Sequence, residues 1–354
     1  MDAINQLILL PASEHLSIIP YLIVFMLLLC LPFAGTALVS CLLSLGFPRR
    51  ASDAARAFAR LIPVQVGTFL TFALLPLVAL IFLYSQYLYH QAIPAGIYFL
   101  RISPFLLAGL LLLGHYQRTL RPAAGAAGVV ITAGACFFMI STLDLAATPQ
   151  KWSFITSPVP LVFSVTVVVH FLIFLAASAL LAGAAGLFLL FRWPERRLPE
   201  DFPAGGMVRG WALGLLTGSA LVLPLLLLWD LYTLPDFTLS ARTFVISFLL
   251  LFLLLLLAGW GLSMLRHGCH RFATASFVAA LLVFGLFVYK HQQLQSSANR
   301  ETLIMLAQAS EKAMDEWREK REALYAKAAT VDVKLGQKIY DERCSACHRF
   351  DQKV

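Results

Sequence analysis

The run VTVVVHFLIFLAASALLAGAAGLFLLFRW, residues 165–193, decides the fold class. From Val165 to Phe191 it carries no acid and no Lys or Arg, and its polar side chains are Thr166, His170 and Ser178. A helix needs about 20 predominantly apolar residues to cross the hydrocarbon core of a bilayer, and this run exceeds that. Hydrocarbon offers the backbone no hydrogen-bond partner, so a crossing segment of this kind is a helix.

The rest of the chain repeats the pattern. Of 354 residues 60% are hydrophobic and 13% charged; soluble domains usually carry about 25% charged residues. Mean hydropathy is +0.80. Apolar windows predict eight spans, at about 18–46, 57–88, 95–115, 124–147, 158–191, 209–229, 242–265 and 271–290. The expected fold class is an all-α membrane protein with about eight transmembrane helices.

Arginine sets the expected orientation. Arg49, Arg50, Arg56 and Arg60 lie between spans one and two, and Arg118 and Arg121 follow span three. Arg192, Arg196, Arg197 and Arg209 follow span five, and Arg266 and Arg271 follow span seven. All four are alternate loops, and the loops between them hold Asp144 and Lys151, then Asp230, Asp236 and Arg242. The positive-inside rule then puts both termini outside. The net charge of +8 is largely this loop arginine and calls for no nucleic acid. MDAINQLILLPASEH lacks the basic start of a cleavable signal, so the first span is expected to direct insertion.

A second signal lies in GQKIYDERCSACHRF, residues 336–350. Cys344, Cys347 and His348 form C-x-x-C-H, the pattern of covalent c-type haem attachment. Two thiols one helical turn apart each take a haem vinyl as a thioether, and the adjacent imidazole faces the iron. A zinc site would want a second ligand pair, and none follows. With Gly336, Ile339 and Tyr340 the stretch resembles the first helix of class I cytochromes c. That resemblance implies further helices and a distal ligand, so the chain is expected to continue past Val354. c-Type haem is attached outside the bacterial cytoplasmic membrane, the side on which the arginine pattern puts the C-terminus.

Three domains are expected: 1–292, the transmembrane domain; 293–330, an external linker; and 331–354, the beginning of a cytochrome. The linker includes SANRETLIMLAQASEKAMDEWREKREALYAKAA, rich in strong helix formers and apolar at Leu303, Leu306, Met314, Trp317 and Leu324. This predicts an external amphipathic helix, either a solvated spacer or a helix docked on the membrane domain or a partner. Cys30, Cys41, Cys136 and Cys269 read as small packing residues. No phosphate-binding glycine loop, nucleophile triad or dense acidic metal cluster is legible, which argues against ATP-driven or hydrolytic chemistry.

A haem b inside the bundle would need His or Met ligands at matching depth. His170 in span five and His15 just before span one are the candidates, each either a haem b ligand or a histidine bonded to a neighbouring span. Met26 and Met139 are thioether candidates for the same iron, or simple packing. Arg101 either pairs with a haem propionate or with Asp144, or snorkels to the interface. Asp144 and Asp230 stand near the outer span ends, and no intramembrane carboxylate relay is legible.

LLPLVALIFLYSQYLY at 74–89, the span-five histidine helix, and His15 before LSIIPYLIVFMLLLCLPFAG together resemble a distant branch of the cytochrome bd oxidase subunit I superfamily. The resemblance implies two four-helix bundles, external termini, b haems near the outer face, and electron transfer linked to oxygen or a quinol. The loop WDLYTLPDFTLSAR between spans six and seven is short, and span three has no glutamate, unlike the well-known oxidases.

The expected function is a membrane-bound redox subunit of the bacterial cytoplasmic membrane. It would pass electrons between haem b and the external haem c, in a bd-oxidase-like or quinol:cytochrome c oxidoreductase complex. Partners would be the membrane, other respiratory-complex subunits and a redox cytochrome or quinone. The alternative is a non-catalytic electron-transfer and anchor subunit with haem c only. A transporter with a fused cytochrome is disfavoured, since no paired Gly/Pro-broken helices are legible.

Overall fold

The computed structural model describes residues 18–47, 52–87, 95–147, 164–199, 202–234, 241–267, 271–299, 308, 311–323, 336 and 340. His15 and the haem-attachment residues Cys344, Cys347 and His348 lie outside the described residues, as do Leu303, Leu306 and Leu324 of the linker.

Among the described residues the protein is helical and has no strand. The helices are α1 (Ile19–Gly46), α2 (Ser52–Ala59), and α3, built of Val66–Phe69, a π turn at Leu70–Leu74 and Leu75–Tyr87. They continue with α4 (Ala95–Thr119), α5 (Pro122–Ala146), α6 (Val165–Phe191), α7 (Gly205–Thr233), α8 (Ala241–His267) and α9 (Ala273–Ala298). Eight of these, all but α2, are long and apolar enough to cross a membrane. The chain is a multi-pass membrane protein. Its apolar side chains are exposed in number on the outer faces, for example Phe105, Leu225 and Phe248, as a lipid-facing surface requires.

Local chemistry sets the helix ends. Ser164 caps α6, its Oγ accepting from the Val167 N–H at 3.4 Å. The sequence predicts span five from 158; the helix begins at Val165, so His170 lies about 8 Å along its axis, at 1.5 Å per residue. Pro122 opens α5, where its missing N–H costs no intrahelical bond. Leu120, between α4 and α5, has φ of 53° and closes α4 with a 2.7 Å bond from its N–H to the Tyr116 carbonyl. The π turn of α3 lies one turn before Pro76, whose ring disturbs the hydrogen-bond ladder behind it.

Residues 16–301 form one compact unit. Within it α1, α3, α4 and α5 pack in sequence as one four-helix ring, and α6, α7, α8 and α9 as a second. α1 and α5 also touch α6, and α1 touches α9, which joins the rings. Close approach is met by small residues: a Cβ on Gly183 of α6 would stand 2.6 Å from the Ala212 carbonyl oxygen of α7. At the arginine-rich end, Gln117 of α4 ties down the segment after α2. Its Oε1 accepts from the Val64 N–H at 2.9 Å, and its Nε2 donates to the Ile62 carbonyl at 2.9 Å.

Residues 311–323 form a separate helix, α10, in which Met314 and Trp317 are exposed and Arg321 stacks on the Trp317 ring at 4.8 Å. This helix lies within 293–330, the stretch expected as a linker.

Candidate functional site

Five ionisable side chains from four helices meet at the end of the bundle where α5, α7 and α9 finish and α6 begins. α5 supplies Asp144, α6 His170, α7 Asp230, and α9 both Lys290 and His291. His170 is the hub. Its Nδ1 lies 2.6 Å from Asp144 Oδ1, and its Nε2 lies 2.8 Å from Asp230 Oδ1. Lys290 donates to the other oxygen of Asp230. His291 Nδ1 stands 3.6 Å from the Asp144 oxygen that His170 uses, and the two imidazoles meet edge to face with centroids 5.3 Å apart.

The electrostatics follow from these contacts. Lys290 and Asp230 are each 2% exposed, and Asp144 is 5% exposed. A charge at such a place is tolerated only when paired. Each ring nitrogen of His170 faces a carboxylate oxygen, so the imidazole bridges the two acids, and Lys290 pairs with Asp230 from its other side.

The last turns of α9 hold the group in place. His291, Gln295 and Asn299 recur every four residues and form one stripe. Gln295 Nε2 donates to the Leu143 carbonyl at 3.0 Å, and Asn299 Nδ2 donates to the Ala146 carbonyl at 2.8 Å. The Ala146 carbonyl is among those that the C-terminal turn of α5 leaves without intrahelical partners, and the Leu143 carbonyl, which also accepts from the Ala147 N–H at 3.1 Å, gains a second donor. Tyr84 of α3 completes the link, its hydroxyl donating to Gln295 Oε1 at 3.1 Å.

Beside the cluster lies a cavity of about 80 Å³. His170, Asp230, Lys290 and His291 line it at the polar side, and Leu27, Leu31, Ile173, Phe174, Phe284 and Phe287 elsewhere. His291 Nε2 is buried and makes no hydrogen bond among the described residues.

No family model, curated protein or solved structure matches this chain. The site is therefore judged on its own chemistry.

That chemistry does not fit an axial haem b ligand at His170, because both ring nitrogens already face carboxylate oxygens and neither is open to iron. Met139 is buried on α5 and Met26 half-buried on α1, and neither lines the cavity that His170 faces. Arg101 is exposed, as snorkelling requires, and Asp144 is engaged by the histidines instead. No carboxylate relay was legible in the sequence, and His291 was not among its candidates; the fold brings both acids together with it. The i, i+4, i+8 polar stripe at 291, 295 and 299 was the available signal that α9 runs on past Lys290.

Proposed function

We propose that this protein is the quinol-oxidising, haem c-bearing subunit of an electron-transfer complex in the bacterial cytoplasmic membrane. The cluster end and the haem c would both lie on the outer side. One observation carries the reading: ionisable groups from three membrane helices, His170, Asp230, Lys290 and His291, converge at the polar side of an otherwise apolar cavity. A quinol asks for that combination, since its ring and tail are apolar while its two hydroxyls must each lose a proton. The arginine-rich loops lie at the opposite end of the spans, which supports an external cluster.

Oxidising one quinol to a quinone releases two protons and two electrons. His291 Nε2 would accept the first hydroxyl proton and, once that proton has left to the outer side, the second, with Asp144, 3.6 Å from His291 Nδ1, balancing the charge each time. Asp230 and Lys290 hold His170 in orientation behind them. Cys344 and Cys347 would bind the haem and His348 its iron, and the group would supply one-electron transfer, so that the two electrons go on to a partner in turn. No step passes through haem b. A distant kinship with bd oxidase subunit I remains compatible with the two helix rings, with His170 in another role.

The test uses the full-length protein with its haem c in nanodiscs. Ubiquinol and menaquinol analogues are added and the haem c absorbance followed. Reduction in the wild type and a slowing of about 100-fold in Asp144→Asn and His291→Ala is the expected result. A haem c that dithionite reduces and no quinol does would overturn the reading.

A second reading is favoured by the size of the cavity. At about 80 Å³ it is smaller than the ~150 Å³ that accepts a benzene ring, so a quinol head enters only if Phe284 or Phe287 moves. On that reading the cluster is an electrostatic clamp and the protein an anchored electron carrier. Quinol-insensitive haem c in the same experiment supports it.

A further inference from the structure

At the opposite end of the spans a cavity of about 610 Å³ opens between α2, α4 and the segment after α6. Arg56, Arg60, Arg118 and Arg196 all line it, against Asp53 as the one acid among the described residues of its wall. We propose that it binds the phosphate of an anionic phospholipid.

Two of these arginines are positioned by the fold rather than scattered over a surface. Arg60 donates from Nε to the Gln117 carbonyl at 3.2 Å, and Arg196 from Nη1 to the Leu61 carbonyl at 3.4 Å. A guanidinium has five N–H donors, so each is steered by one bond and keeps the rest for a ligand. Arg118 is exposed and makes no ion pair or hydrogen bond to another described residue. Arg56 reaches Asp53 only at 4.0 Å, with both side chains more than half exposed, a contact of little strength. Gln117, which fixes Arg60, is itself held by Val64 and Ile62, so the wall is built.

The ligand class follows from what shares the wall. Forked donors from several arginines match the oxygens of a phosphate. Leu190, Leu198 and Phe202 border the same space, which suits a group carrying hydrocarbon. The cavity adjoins the ends of α4 and α6, the level at which spanning helices meet headgroups, and basic pockets between spans on the arginine-rich side are where anionic lipids bind. A free phosphate shares the charge but has no use for the apolar border.

The experiment measures thermal unfolding of the full-length protein in detergent with phosphatidylglycerol, phosphatidylethanolamine or inorganic phosphate added. Phosphatidylglycerol is expected to raise Tm and the other two to leave it in place. Arg118→Gln, which removes no hydrogen bond or ion pair among the described residues, and the double variant Arg60→Gln/Arg118→Gln should each lose the rise. Arg266→Gln, at the same end but outside the cavity wall, should keep it. An equal rise with phosphatidylethanolamine, a full rise with inorganic phosphate, or equal loss in Arg266→Gln overturns the proposal.

Discussion

His170 and Asp230, 60 residues apart in the chain, meet at 2.8 Å across α6 and α7, and Lys290 holds the far oxygen of the same carboxylate. Asp230 is therefore a buried carboxylate shared by an imidazole and an ammonium. Removing one member of such a group strands the others in a low-dielectric interior, at a cost of about 3–5 kcal/mol. Asp230→Asn and Lys290→Met should each lower Tm in detergent by that order of destabilisation. The double variant should be much less destabilised than the sum, because neither charge is left alone. Strict additivity in this cycle would show that the pair is not coupled.

The stripe on α9 makes a separate prediction. Gln295 serves both the Leu143 carbonyl and the Tyr84 hydroxyl. Gln295→Leu removes one donor from the Leu143 carbonyl, which keeps the Ala147 N–H, and one acceptor from the Tyr84 hydroxyl, about 0.5–1.5 kcal/mol for each hydrogen bond lost. A fall in Tm is expected, with faster hydrogen exchange in the last turn of α5. Unchanged exchange there would mean that water replaces the amide.

What the sequence displayed was governed by averages over long windows. Transfer of some 20 apolar side chains into hydrocarbon outweighs local detail, so all eight spans were legible from composition. Their ends were set by single contacts that no window sees. Ser164 moved the start of α6 to Val165, and α9 runs on to Ala298 because Gln295 and Asn299 find carbonyls on α5. The cluster was hidden for a similar reason. Asp144, His170, Asp230 and His291 each stand alone in their own segment, and only the packing of α5, α6, α7 and α9 brings them together. His170 was legible as a functional candidate but its partners were not, so haem iron was expected where the fold supplies carboxylates.

Close helix packing yields a third outcome. A Cβ at Gly183 would fall 2.6 Å from both the Ala212 carbonyl oxygen and the Leu216 nitrogen, backbone atoms that cannot swing aside. Gly183→Leu should push α7 away from α6 and with it carry Asp230 from His170. Loss of Tm is expected together with loss of quinol-dependent haem c reduction. Gly210→Ala, where a Cβ meets nothing within 4 Å, is the control and should behave as wild type.

Haem content separates the geometry of the cluster from the expectation that preceded it. Thioether bonds at Cys344 and Cys347 would survive denaturation in pyridine, whereas a b haem is held by iron ligation and packing alone. With both nitrogens of His170 facing carboxylates, the pyridine haemochrome spectrum should show haem c and no haem b. His170→Gln should leave that spectrum and the ratio of haem to protein unchanged while it weakens the cluster. Cys344→Ala should lower covalent haem without altering the unfolding of the spans. A b haem in the wild type that vanishes in His170→Gln would mean that the two aspartates yield their hydrogen bonds to iron, and the quinol site would have to be sought elsewhere in the bundle.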